Sequence, residues 1–262
     1  WLPSFLERHD PDTLRYYLSI NMPENHDTDF NWPDFVDKIN NELIATYGNF
    51  IHRVNTLSNR LSNGDKHNPL NEWDDVSSNT ELCDKIESIH SDVTTSLKKS
   101  RFKEALRGIM SIAQLGNQTI QSSAPWVYLK EGGGEEGYSD KRIQALSKLS
   151  FCWRIVRYLS IASHPFMPFQ AQRIWKLIGE MGSVSEVSWD SAIDWSADME
   201  WSGIKPEPLF SMLDLDEIMD VEQGLVSTTE GSGGDDNIHT VKGGKKKGDE
   251  KMSEITGNKY DK

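Results

Sequence analysis

The sequence predicts an all-α protein, a helix bundle of about five long helices followed by a disordered C-terminal linker. Three observations predict it. Apolar residues recur at three- and four-residue spacing over long stretches, which is the period of an amphipathic helix. Prolines and capping side chains stand at the starts of these stretches, and Gly64 stands just past the end of the longest. The connections are short, and no repeat of roughly 20–50 residues interrupts the pattern. With 262 residues, 36% hydrophobic content and nine tryptophans, the chain has enough apolar material for one large core.

Taken in order, Asp10 and Pro11 are the cap and first-turn residues of a short helix over 10–20, with Leu14, Tyr17 and Leu18 at helical spacing. Asp27 and Asp29 are turn residues ahead of the next helix, complementing its dipole. That helix covers 33–62, from Pro33 to the residues before Gly64. Its stripe of Phe35, Ile39, Leu43, Tyr47, Phe50, Val54, Leu57 and Leu61 faces the core. Further helices are predicted over 77–98, 101–121 and about 139–162, the last interrupted at His164-Pro165 and resuming after Pro168. Residues 183–201 carry Trp189, Trp195 and Trp201 in a less regular stretch. Pro206 and Pro208 then introduce an extended segment ending near Leu215.

From Ser227 onward large apolar groups almost disappear, and seven of the 19 glycines fall there. Seven lysines balance seven acids in that tail, so the body carries the whole net charge of −13. Such a composition reads as a linker leading to a further module. The expected division is a connecting region at 1–30, a helical domain at 31–215 and a linker at 216–262. The opening Trp1-Leu2-Pro3 has no initiator methionine and is apolar at once, and it reads as the interior of a longer polypeptide.

The acidic balance argues against loose, charge-driven association with nucleic acid, so any RNA binding should rest on shape and base contacts. Cys83 and Cys152 are too few for a disulfide framework and lack metal-ligand spacing. No apolar run approaches the ~20 residues of a membrane span and no signal peptide opens the chain, so no membrane contact is expected, while the sparse cysteines make a reduced cytoplasmic setting the default expectation.

The residues that carry recognition chemistry are Asn49, Arg53, Pro125 and Trp126. Asn49 and Arg53 are helical neighbours at i and i+4 and lie off the core stripe, so both are available to a ligand. An amide offers a donor and an acceptor to a base edge. Arginine offers a rigid fork or a stacking plane. An indole is a stacking platform worth ~1–3 kcal/mol per base. Pro125 biases Ala124 toward an extended conformation, which would fix how the ring of Trp126 is presented. Taken singly these signals are weak: an Asn/Arg pair on a helix is usually solvated surface, and a Trp after Pro is usually packing.

Longer motifs add to this reading. Asp10-Pro-Asp-Thr-Leu-Arg-Tyr-Tyr-Leu18, Asp27-Thr-Asp-Phe30, Gly48-Asn-Phe-Ile-His-Arg53, Gly116-Asn117, Ala124-Pro-Trp126 and His164-Pro-Phe-Met-Pro168 occur in this order. In order and spacing they resemble the region after the catalytic domain of methionyl-tRNA synthetase, in its archaeal and eukaryotic branch, over about residues 1–215. The resemblance implies a class I synthetase anticodon-binding domain that recognises the CAU anticodon of methionine and initiator tRNAs. Asn49 and Arg53 match that family's anticodon-reading pair, and Trp126, beside Pro125, its stacking tryptophan. It also implies a parent methionine–tRNA ligase whose ATP, Mg and structural Zn belong to a catalytic portion ahead of Trp1. A C-terminal OB-fold that binds tRNA and forms a homodimer would follow the tail. The family's HIGH motif, zinc knuckle and KMSKS loop are absent, and this fragment alone is expected to be inactive. Lys251-Met-Ser-Glu254 imitates the last of these, with glutamate in place of the phosphate-facing lysine, and reads as coincidence.

Other features have plainer readings. The seven histidines form no metal pattern. His164 is a satisfied histidine at a helix break, while His52 between Asn49 and Arg53 either lines the RNA face or is simply solvated. Gly132-Gly133-Gly134 lacks the Lys-Ser/Thr of a phosphate loop. Lys98, Lys99 and Arg101, with Lys103 and Arg107, form the densest basic cluster of the body. It is either a solvated helix end or, for Lys98, Lys99 and Arg101 in particular, a contact for RNA backbone. The rival to RNA recognition is a helical adapter that docks proteins through its acidic surface.

Overall fold

The helices begin where side chains can take up the free N–H groups of a first turn. In the structure, a computed structural model that describes residues 2–23, 28–62, 75–128, 140–197 and 205–230, Asp10 Oδ1 accepts from the N–H of Asp12 at 2.7 Å. That cap, with Pro11 following, opens α2 (Pro11–Ile20), which comes after the short α1 (Leu2–Leu6). Asn31 Oδ1 accepts from the N–H of Asp34 at 2.8 Å and opens α3, which runs over 32–62. Then come α4 (Thr80–Lys98), α5 (Phe102–Ser123), α6 (Asp140–Ser163) and α7 (Pro168–Leu177). The helices expected over 10–20, 33–62, 77–98, 101–121 and 139–162 are all present, and no strand occurs among the described residues.

α3 is wound in three parts: α-helix over Trp32–Asp37, the wider π-helix over Lys38–Gly48, and α-helix again over Asn49–Ser62. The expected stripe faces inward through all three, since Phe35, Ile39, Leu43, Tyr47, Phe50 and Val54 are fully buried. α4 packs on α5, α5 on α6 and α6 on α7, while α3 lies against α5 and α6. α6 is the centre of the bundle and, apart from the half-buried Lys148, is buried on every side from Ala145 to Ser163. Its polar groups are satisfied internally. Arg157 donates to Glu180 Oε1 at 3.1 Å and to the carbonyl of Ser191 at 2.6 Å, and Ser163 shares a 2.8 Å hydrogen bond with the hydroxyl of Tyr47. The indole N–H groups of Trp153, Trp189 and Trp195 donate to Ser58, Thr94 and Glu87, so the irregular stretch after α7 is fastened back onto α4.

The start of the chain is held by rings and by a carboxylate. Phe5 stacks on Trp32 with centroids 5.7 Å apart, and Phe30, Phe35 and Tyr17 meet edge-on beside them. The fully buried Asp12 accepts from the N–H of Gln170 at the start of α7 at 2.7 Å. Arg15 donates to the carbonyls of Pro165 and Phe166, each at 2.9 Å. The extended segment from Lys205 is docked by Asn40, whose side chain donates to the carbonyl of Leu213 at 2.8 Å and accepts from its N–H at 2.9 Å.

Residues 1–219 and 220–262 form two units by their internal contacts. The expected regions 1–30 and 31–215 both fall in the first. The first residues of the region expected as a linker, 216–262, form the larger part of α8 (Leu215–Glu230). The reason is local: Asp214 Oδ1 accepts from the N–H groups of Asp216 and Glu217, and two acids occupy the positive end of the helix. The glycine run 132–134, Asp27, Trp201 and the tail from 231, with its Lys251–Glu254 imitation, lie outside the described residues.

Candidate nucleic-acid interface

Two helices build the site. α5 comes close to α3 at Gly116, where an added Cβ would lie 2.3 Å from the ring of Phe50. Only glycine lets the two backbones approach this far, and the approach brings the next residue, Asn117, onto α3. The amide nitrogen of Asn117 donates to the carbonyl of Thr46 at 2.9 Å, which fixes the rotamer. Its carbonyl oxygen then receives Arg53 Nη1 at 3.2 Å and, more distantly, Asn49 Nδ2 at 3.4 Å. One turn further along α5, Gln121 Oε1 accepts from Arg53 Nη2 at 3.2 Å. The guanidinium is therefore gripped by two neutral amides. No carboxylate pairs with it among the described residues, so its charge is left uncompensated.

The helix that carries Asn117 and Gln121 ends at Ala124, and this end places the indole. The following proline predicts an extended Ala124, but Ala124 is left-handed, with φ 45° and ψ 51°. The preference set by the following proline is overridden at this helix end, where a left-handed Ala124 closes α5 with its N–H on the carbonyl of Ile120 at 3.0 Å. One 3₁₀ turn, Pro125–Val127, follows, with Pro125 buried and Trp126 36% exposed. The ring stands over Arg53, whose Cζ is 5.9 Å from its centroid, within cation–π range.

Asn49, Arg53, Pro125 and Trp126 are thus brought together at one end of α5. Lys98, Lys99 and Arg101 are not with them: they are exposed at the opposite end of α5, with Arg101 roughly 24 Å of helical rise from Asn117, and Arg101 pairs with Glu104 at 3.4 Å. His52 is half-buried and shares with Asn49 the wall of an apolar cavity of about 610 Å³, closed on its other side by Pro208–Met212. His164 is half-buried after the end of α6, where burial and then the charge of Arg15 hold its pKa below the ordinary histidine value. Sequence reasoning does not single out Gln121 as a site residue, nor the clamping role of Asn117. A signal exists: the amides at 117 and 121 repeat the i, i+4 spacing of Asn49 and Arg53.

Residues 79–230 match the family model described as the anticodon-binding domain of tRNA ligase, and residues 1–55 match that of tRNA synthetases class I (M). The methionine–tRNA ligase of Methanopyrus kandleri is 35% identical over 210 residues, covering 80% of this chain and 29% of that protein. That of Bacillus cereus strain Q1 is 28% identical over 218 residues, covering 83% and 36%. The free-state crystal structure of Mycobacterium tuberculosis methionyl-tRNA synthetase superposes with a TM-score of 0.65 at 18% identity, over 80% of this chain and 40% of that one, which is a likeness of fold. The chain belongs to the anticodon-binding domains of tRNA ligases and, among these, to the methionyl-tRNA synthetase family. It spans about a quarter to a third of the length of the curated relatives just named and their like.

Proposed function

We propose that this chain reads the CAU anticodon of methionine and initiator tRNAs for a methionine–tRNA ligase. The observation that carries the reading is the uncompensated guanidinium of Arg53, clamped by Asn117 and Gln121 beneath the half-open ring of Trp126. A cation held by neutral amides keeps its attraction for base carbonyls, and the indole gives an unstacked base a surface to lie on. Asn49, exposed beside them, supplies the amide that can match a Watson–Crick edge. The chemistry is differential binding without a covalent step. In the parent enzyme a catalytic portion would use ATP and Mg²⁺ to activate methionine, in the cytoplasm, and a structural Zn²⁺ would belong to that portion. Among the described residues no group of three His, Cys, Asp or Glu side chains is placed to hold a metal, and no helix is long and apolar enough to cross a membrane. A homodimer through an OB-fold module following the tail belongs to the same proposal.

The test is a titration with two anticodon stem-loops, one carrying CAU and one with its first anticodon base changed, at one moderate salt concentration. The expected result is a preference for CAU of at least tenfold (about 1.4 kcal/mol) that Trp126→Ala and Arg53→Ala each abolish. Equal binding of the two hairpins, unaffected by either substitution, would sink the reading.

A further inference from the structure

The face of α5 that carries Asn117 and Gln121 does not stop there. Lys103, Arg107, Met110, Gln114, Asn117 and Gln121 recur at alternating spacings of four and three, so at about 100° per residue they fall in one narrow stripe. Opposite them on α3, Lys38, Glu42 and Thr46 lead up to Asn49 and Arg53. Between the two stripes lies a polar cleft of about 310 Å³ whose walls include Lys38, Glu42, Thr46, Lys103, Arg107 and Gln114. It adjoins the reading site directly. Thr46, whose carbonyl anchors Asn117, lines it, and Gln114 is one helical turn from Asn117.

The charges in the cleft are unusual for a body that carries −13 overall. Lys38 is paired with Glu42, which also accepts from the hydroxyl of Tyr16. Lys103 and Arg107 have no ion-pair partner among the described residues. Like charges at i and i+4 on one helix repel, so this pair weakens α5 unless an anion lies between them. Arg107 and Lys103 are separated from Asn117 by roughly 15 and 21 Å of helical rise, the reach of a few nucleotides of extended backbone.

We propose that this cleft is a phosphate-binding groove: Lys103 and Arg107 take the RNA backbone next to the bases held at Asn49, Arg53 and Trp126. The proposal rests on the anticodon reading above and adds a separate surface to it. Asn49, Arg53 and Trp126 carry sequence preference. The groove carries affinity that ignores sequence and sets the register of the strand.

The test compares the full chain with Lys103→Gln/Arg107→Gln and with a charge-matched control outside the groove, Lys85→Gln/Lys176→Gln. Each is titrated with both stem-loops across a salt series. In the groove variant the affinity for both hairpins is expected to fall about equally, with the slope of log K against log salt shrinking by about one for each phosphate no longer neutralised. The CAU preference stays as it was, and the control keeps the original slope. A groove variant with unchanged slope, or a control that changes as much as the groove variant, overturns the proposal. Trp126→Ala, run in parallel, separates the two ideas. If it abolishes the preference while the groove variant keeps its slope, the anticodon reading stands and the groove fails. If no preference exists to abolish, the anticodon reading fails and takes the groove with it.

Discussion

Asn117 uses both ends of its side chain on α3, holding Thr46 through its amide and Arg53 through its carbonyl. It touches the ligand, in this view, only through Arg53, and so positions the reader. Asn117→Ala is expected to cost about 1 kcal/mol of stability, the net worth of a hydrogen bond, and to reduce the CAU preference at least tenfold while the salt slope stays unchanged. Hairpin titration and thermal melting of the same variant check both parts, and a retained preference would mean that Gln121 alone suffices to hold Arg53. Asn49 and Arg53 are legible in the sequence because they stand off a continuous apolar stripe. Their partners are not, because periodicity places a residue around its own helix and says nothing of which neighbouring helix it meets. The left-handed Ala124 escapes sequence reasoning for a related reason: a following proline sets only a local preference for extended backbone, which the end of a helix can override.

At the level of elements, the contact of α3 with α5 depends on a missing side chain. Gly116→Ala would place a Cβ 2.3 Å from the ring of Phe50, which is itself fully buried and has nowhere to retreat. The expected loss is about 1–3 kcal/mol, larger than the gain an alanine normally brings inside a helix, and denaturant melts would measure it. An unchanged midpoint would mean that α5 can slide away from α3. The stripe of α3 is readable from end to end, although nothing in its spacing betrays the π-helical winding of Lys38–Gly48. α6 is found at its expected place without a clear stripe. A helix buried on all sides has no solvent face to set a period, and only its length and the His164-Pro165 stop identify it. α8 is not singled out in the sequence, although Asp214 is a good cap for it.

For the molecule as a whole, Asp12 couples the first helices to the start of α7. Burial, then the charge of Asp10, push its pKa up from 3.8 to about 6, although the N–H groups of Gln170 and Phe169 and the charge of Arg15 act the other way. A carboxyl with a raised pKa holds its proton more tightly in the folded than in the unfolded chain. Its contribution is therefore fully present below about pH 4 and is lost as the pH rises through 6. Asp12→Asn keeps an acceptor for the N–H of Gln170 and removes the buried charge. The variant is expected to be more stable than the natural chain at pH 8, by roughly 1–3 kcal/mol, with the difference closing toward pH 4. Melting temperatures at the two pH values check this, and a lower melting point at pH 8 would mean that the ionised form's hydrogen bonds outweigh its burial. The presentation of Trp126 also has a consequence for how the molecule binds. The ring hangs from a left-handed residue that ends one helix and from a proline whose φ is fixed by its own ring. Immobilising a residue of ordinary loop would remove about 1–2 kcal/mol of conformational entropy at the moment of binding. Here that freedom is already lost when the chain folds, so under the proposed reading a base stacking on the indole would meet a surface that need not be ordered to receive it.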